Sequence, residues 1–115
     1  MIQAVTKREK LQEYVRYSVH VTGHSGSGAE AGTDIICSAA SMVFQLYWQC
    51  AQEMLVKYKG CSFEGSIDPG DSWGTLTVPV TKKGIWTADC LMYGVRTGFD
   101  MLEGTYPENV HHEMK

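Results

Sequence analysis

Between Tyr14 and Val21 the chain alternates strictly, with Val15, Tyr17, Val19 and Val21 on one face and Tyr14, Arg16, Ser18 and His20 on the other. That is the period of a half-buried strand. Ile2 to Val5 predicts a shorter strand before it, with Lys7 to Gln12 as the polar turn between the two. From Ile35 to about Lys57 the period changes: Gly and Pro are absent, and Ile36, Ala39, Ala40, Val43, Tyr47, Cys50 and Met54 recur at helical spacing. Thr33 or Asp34 is suited to cap this helix, and Lys59-Gly60 ends it.

Cys61, Phe63 and Ile67 then predict a strand with Gly65 as a weak point or bulge. Asp68-Pro69-Gly70-Asp71 is a strong turn signal, after which Leu76, Val78 and Val80 alternate with Thr75, Thr77 and Pro79. A proline there puts the far end of the second strand at an edge or terminus. From Gly84 to Glu103, Ile85, Ala88, Leu91, Met92, Val95, Phe99 and Leu102 predict a second helix. It forms in spite of Gly94 and Gly98, which each cost about 1 kcal/mol relative to alanine. Gly104 and Pro107 close it, and Glu108 to Glu113 reads as a last short strand or a frayed tail.

This order predicts an α+β fold in one domain, residues 1–115: an antiparallel sheet of four to five strands with two helices packed on one face. Met42, Phe44, Leu46 and Trp48 exceed what one buried stripe of the first helix needs. They either widen its core contact or cover a partner subunit.

Composition narrows the function classes. The net charge of −3 leaves no basic footprint for nucleic acid, and no apolar run is long enough to cross a membrane. Met1 to Lys10 lacks the apolar stretch that secretion requires, so a soluble, cytoplasmic protein is expected. Cysteines at 37, 50, 61 and 90 have no paired short spacing, which argues against a zinc knuckle or a redox pair and for reduced thiols.

The chemistry concentrates where strand passes to helix. Gly23-His24 leads into Ser25-Gly26-Ser27-Gly28-Ala29, residues that are costly to order and add almost nothing to a core, and the loop runs to Gly32. Asp34 and Cys37 follow. If the helix opens at Asp34, Cys37 falls in its first turn, where unpaired N–H groups and the macrodipole favour a thiolate. His24 is then the candidate base and acid. At about 100° per residue Asp34, Cys37 and Ser41 share roughly one-third of the helix circumference. Asp34 either orients the His24 ring or, as a carboxylate one turn from the sulfur, opposes the thiolate. Ser41 either donates toward the sulfur or bonds back to the Cys37 carbonyl.

Gly23-His24-Ser25-Gly26 and Asp34-Ile35-Ile36-Cys37-Ser38-Ala39-Ala40-Ser41 together resemble the ribosomal-processing cysteine protease family, Prp. Its signature is a strand ending in Gly-His-small-Gly, a flexible loop, and a helix opening Asp-Ile-Val-Cys-Ala-Ala-Val-Ser. Ser25, Ser38 and Ala40 depart from it without touching His24, Asp34, Cys37 or Ser41. The resemblance implies a homodimeric, cofactor-free cysteine peptidase that removes a short N-terminal extension from a large-subunit ribosomal protein, or cleaves capsid and scaffold proteins in phage-associated members. Carried over, Cys37 is the nucleophile, His24 the base and acid, and Asp34 and Ser41 support them. The loop containing Gly23, Gly26, Gly28 and Gly32 shifts to admit the substrate.

Rival readings are weaker. A zinc site from His20, His24, Asp34 and Cys37, or from His111-His112-Glu113, lacks a ligand spacing, and the C-terminal histidines read as a solvated tail. A redox sensor lacks a resolving cysteine nearby, since Cys50 lies about 20 Å farther along a straight helix. A non-catalytic ribosome- or phage-assembly binding protein of the same fold is the alternative, but a binding surface needs neither His24 nor Cys37.

Overall fold

The computed structural model describes residues 1–23, 31–80 and 82–115, with residues 31–34 and 82 described by their backbone alone. The elements run β1 (Ile2–Lys10), β2 (Tyr14–Thr22), α1 (Ala31–Lys57), β3 (Ser62–Ser66), β4 (Asp71–Pro79), α2 (Lys82–Thr105) and β5 (Val110–Met114). They form one five-stranded sheet in the order β3-β4-β2-β1-β5.

The α+β class and the helical layer agree with the hydrophobic periods. Val15, Tyr17 and Val19 of β2 are buried, in register with Val78, Leu76 and Gly74 of β4, and both helices bury their stripes against this face. His20 points to the opposite, open face, where its Nε2 meets Asp71 Oδ1 at 2.7 Å. The sheet is mostly rather than wholly antiparallel, because β5 pairs parallel with β1, from Ile2↔Val110 to Thr6↔Met114. The cause is α2: a helix of 24 residues carries the chain back about 36 Å, so the strand after it runs in the direction of the strand before it.

β1 extends through Lys10, longer than expected, because Lys7 to Lys10 pair with Ser18 to Val15 and the turn is confined to Leu11–Glu13. Gly65 is no bulge. It pairs in register with Gly74, and an added Cβ there would run into Trp48 and the Trp73 carbonyl. These two glycines open a recess for rings: Trp48 meets Phe63 edge-on at 4.9 Å, and Phe44 lies 6.0 Å from both Tyr47 and Trp48. Phe44, 2% exposed, and Trp48 therefore belong to the core contact of α1, whereas Met42 and Leu46 are 63% and 50% exposed.

The C-terminal segment is no solvated tail. His112 is buried on β5, its Nε2 2.8 Å from Thr6 Oγ1 and its Nδ1 2.7 Å from Asp100 Oδ1, while Arg96 donates to the same Thr6 hydroxyl. Alternation along β5 sends His111 outward, where it pairs with Glu103 at 2.8 Å. No described helix is long and apolar enough to cross a membrane.

Candidate active site

A cavity of about 320 Å³ opens where three pieces of chain converge: the ends of β1 and β2, the N-terminal half of α1, and the turn from Ile67 to Ser72. Ile2, Val21, Ala40 and Phe44 give it an apolar lining, and Cys37, Ser41 and Gln45 border it from α1.

Local chemistry builds each wall. At the exit of β2, Gly23 adopts φ +89°, its N–H donates to the Gly70 carbonyl at 2.9 Å, and a side chain there would collide with the Met1 carbonyl. Only glycine meets both demands. Opposite, Asp68-Pro69-Gly70-Asp71 forms the expected turn, closed by the Asp71 N–H on the Asp68 carbonyl at 3.1 Å, with Gly70 at φ +78°. Proline at the second position and a positive-φ glycine at the third are what a type II turn demands. The Ser72 hydroxyl donates to the Asp68 carbonyl at 3.0 Å and accepts the Asp68 N–H at 3.2 Å, stiffening the turn.

Of the residues singled out from sequence, Cys37, Ser41 and Gly23 come together around this cavity. His24, Gly26 and Gly28 lie outside the described residues, as does the Asp34 side chain. Gly32 falls within α1, which starts at Ala31 rather than at Asp34. That start moves Cys37 out of the first turn. The N–H groups of residues 37 and 38 are then inside the helix ladder, and the terminal field falls off within the first turn. Neither N–H is therefore free to bind an oxyanion.

Cys37 is partly exposed on α1. The Ser41 hydroxyl oxygen accepts a hydrogen bond from Gln45 Nε2 at 3.0 Å. Burial pushes the thiols of Cys50 and Cys61 up, at Cys50 with help from Glu53, so neither is poised as a nucleophile. Gln45, Phe44 and the Ile67–Ser72 turn were not foreseen as parts of the site. Gln45 had a signal, since it stands four residues beyond Ser41 and eight beyond Cys37 on one helix row.

His20 cannot join Cys37, because it faces the other side of the sheet. Among the described residues no group of three or more His, Cys, Asp or Glu side chains is arranged to hold a metal ion.

The family model described as cysteine protease Prp matches residues 1–111. Comparison with curated protein sequences gives no match. Among solved structures, SMU.848 from Streptococcus mutans is similar at 28% identity and TM-score 0.62, over 99% of this chain and 93% of that one. Two structures of the essential ribosomal processing protease Prp from S. aureus, one with a covalently linked product peptide and one with a substrate peptide, have TM-score 0.64. They are 20% and 18% identical, each over 100% of both chains, and share the fold.

Proposed function

This chain belongs to the family of the cysteine protease Prp, and from that premise we propose that it is an endopeptidase in which Cys37 is the nucleophile and His24 its base and acid. The observation that carries the reading is the position of Cys37 on the wall of a cavity whose other side is the β2 exit at Gly23. Covalent geometry holds neighbouring Cα atoms about 3.8 Å apart, so Gly23 at the cavity supports His24, the next residue, as the partner of Cys37.

In the reaction, His24 takes the Cys37 proton and the sulfur attacks the peptide carbonyl. The tetrahedral intermediate collapses as His24 returns that proton to the departing amine, leaving a thioester on Cys37. A water deprotonated by His24 then attacks the thioester, and the thiol is regenerated as the acid product leaves. Asp34 and Ser41 support this pair, and the loop through Gly26 and Gly28 admits the peptide.

The substrate is the N-terminal extension of a large-subunit ribosomal protein, with capsid or scaffold proteins taking its place if the chain is phage-associated. The family's pattern and the ribosomal processing activity of the S. aureus protease support this. So does the cavity: the extension removed in the family ends after an aromatic residue and is followed by small and basic residues, and the apolar lining suits that aromatic side chain while Asp68 at the rim suits the basic ones. The protein works in the cytoplasm as a homodimer, with no cofactor and no direct nucleic-acid contact. The exposed Met42 and Leu46 on α1 offer apolar surface to a second copy; light scattering at micromolar concentration reads the dimer directly.

The test is incubation of wild type, Cys37→Ser and His24→Ala with peptides bearing an aromatic residue followed by small and basic residues, read by mass spectrometry. Cleavage at one bond by wild type, abolished in Cys37→Ser and reduced in His24→Ala, is expected. Undiminished cleavage by Cys37→Ser overturns the assignment.

A further inference from the structure

We infer that Gln45 is a positioning residue of this site, holding the Ser41 hydroxyl so that its proton is directed at the Cys37 sulfur. The inference rests on the reading of Cys37 as the nucleophile. Cys37, Ser41 and Gln45 stand four residues apart along α1 and all border the same cavity, so they form one row of side chains along its wall. Within that row Gln45 Nε2 donates to Ser41 Oγ at 3.0 Å.

A serine hydroxyl has one proton and two lone pairs. With Gln45 occupying a lone pair, the proton turns away from Gln45, and the row offers two acceptors one turn toward the N-terminus. One is the Cys37 carbonyl, which already accepts the N–H of residue 41 in the helix ladder. The other is the Cys37 sulfur. Once ionised, the sulfur is the stronger acceptor, because hydrogen bonds to a charged atom are roughly twice as strong as neutral ones. Accepting from Gln45 also polarises the hydroxyl and makes it a better donor.

This arrangement has a function that the helix terminus does not fill. Since α1 starts at Ala31, the unpaired N–H groups of its first turn lie one turn or more from Cys37. The Gln45–Ser41 pair supports a thiolate from the C-terminal side instead. Both side chains are exposed, so they can be replaced without opening the core.

The experiment is the pH dependence of Cys37 alkylation by iodoacetamide, read on the Cys37 peptide by mass spectrometry, in wild type, Ser41→Ala, Gln45→Ala, Gln45→Glu and Ser41→Ala/Gln45→Ala. Loss of a charge-assisted hydrogen bond moves the midpoint in Ser41→Ala up by about one pH unit. Gln45→Ala moves it up by about a third of that, the share that cooperativity contributes. Gln45→Glu moves it further than Gln45→Ala, because a carboxylate only accepts and draws the Ser41 proton to itself. The double variant matches Ser41→Ala.

A Gln45→Ala midpoint equal to wild type overturns the inference, as does a Gln45→Ala shift that persists unchanged in the Ser41→Ala background. A merely structural Gln45 would alter melting and leave the midpoint in place. Alkylation needs no peptide substrate, so failure of peptide cleavage and failure of this positioning are read separately.

Discussion

Replacing Gly23 by alanine tests how the exit of β2 is built. Two costs add. The backbone there has φ +89°, a region that costs a residue with a Cβ about 1–2 kcal/mol. The new Cβ also runs into the Met1 carbonyl. That carbonyl belongs to the peptide whose N–H, on Ile2, donates to the Asn109 carbonyl at 2.8 Å, and Ile2 is buried, so the peptide cannot swing aside without disturbing β1 and β5 together. With strains of this kind at about 1–3 kcal/mol each, the total is about 3 kcal/mol. For a domain of this size that lowers Tm by about 12 °C. Thermal and urea melts followed by circular dichroism give the value, and peptide cleavage gives the functional loss as the Gly23–Gly70 link and the cavity edge shift. A Gly23→Ala protein that melts within about 2 °C of wild type and cleaves at the wild-type rate refutes the reasoning.

Gly94→Ala has the opposite sign: an added Cβ meets nothing within 4 Å, so the variant gains about 1 kcal/mol of helix propensity and its Tm rises. Tyr47→Phe removes the buried hydrogen bond from the Tyr47 hydroxyl to the Tyr17 carbonyl at 2.6 Å, and urea melts should show a loss of about 1–3 kcal/mol. Asp89 is partly buried, which opposes its charge, but hydrogen bonds from Arg8 and Tyr17 outweigh that and hold its carboxyl below the usual range. A depressed carboxyl stabilises the fold above its unfolded pKa, and that stability is lost as pH falls through the folded one. The stability difference between wild type and Asp89→Asn therefore shrinks as pH drops below about 4, and pH-dependent urea melts that keep it constant contradict the account.

The parts of this fold that could be read from sequence are those where one local rule acts alone. The alternation of β2 and the Asp-Pro-Gly-Asp turn needed only side-chain period and backbone chemistry. The start of α1 was misplaced because Gly32 reads as loop, yet the helix continues through it. Parallel pairing of β5 depends on where α2 delivers the chain, a tertiary matter that a five-residue segment does not encode. His112 looked like a tail residue because its partners, Thr6 and Asp100, are distant in sequence. Trp48 looked surplus because the recess that takes it exists only where Gly65 and Gly74 face each other across two strands, and Phe44 because it packs on Tyr47 and Trp48 beside that recess.

The site divides in the same way. Cys37, Ser41 and Gly23 were singled out by the loop–helix motif, and the structure brings them to one cavity. Gln45 and the wall from Ile67 to Ser72 were not, because one is an ordinary polar residue on a helix and the other reaches the site only through the pairing of β4 with β2, which sets the turn beside the β2 exit.

Trapping the acyl-enzyme reads the nucleophile itself. Wild-type protein mixed with a cleavable peptide and quenched in acid within the first turnovers should carry the added mass of the acyl fragment as a thioester on the peptide containing Cys37. Cleavage that proceeds with no such adduct, or with the adduct on another residue, contradicts it.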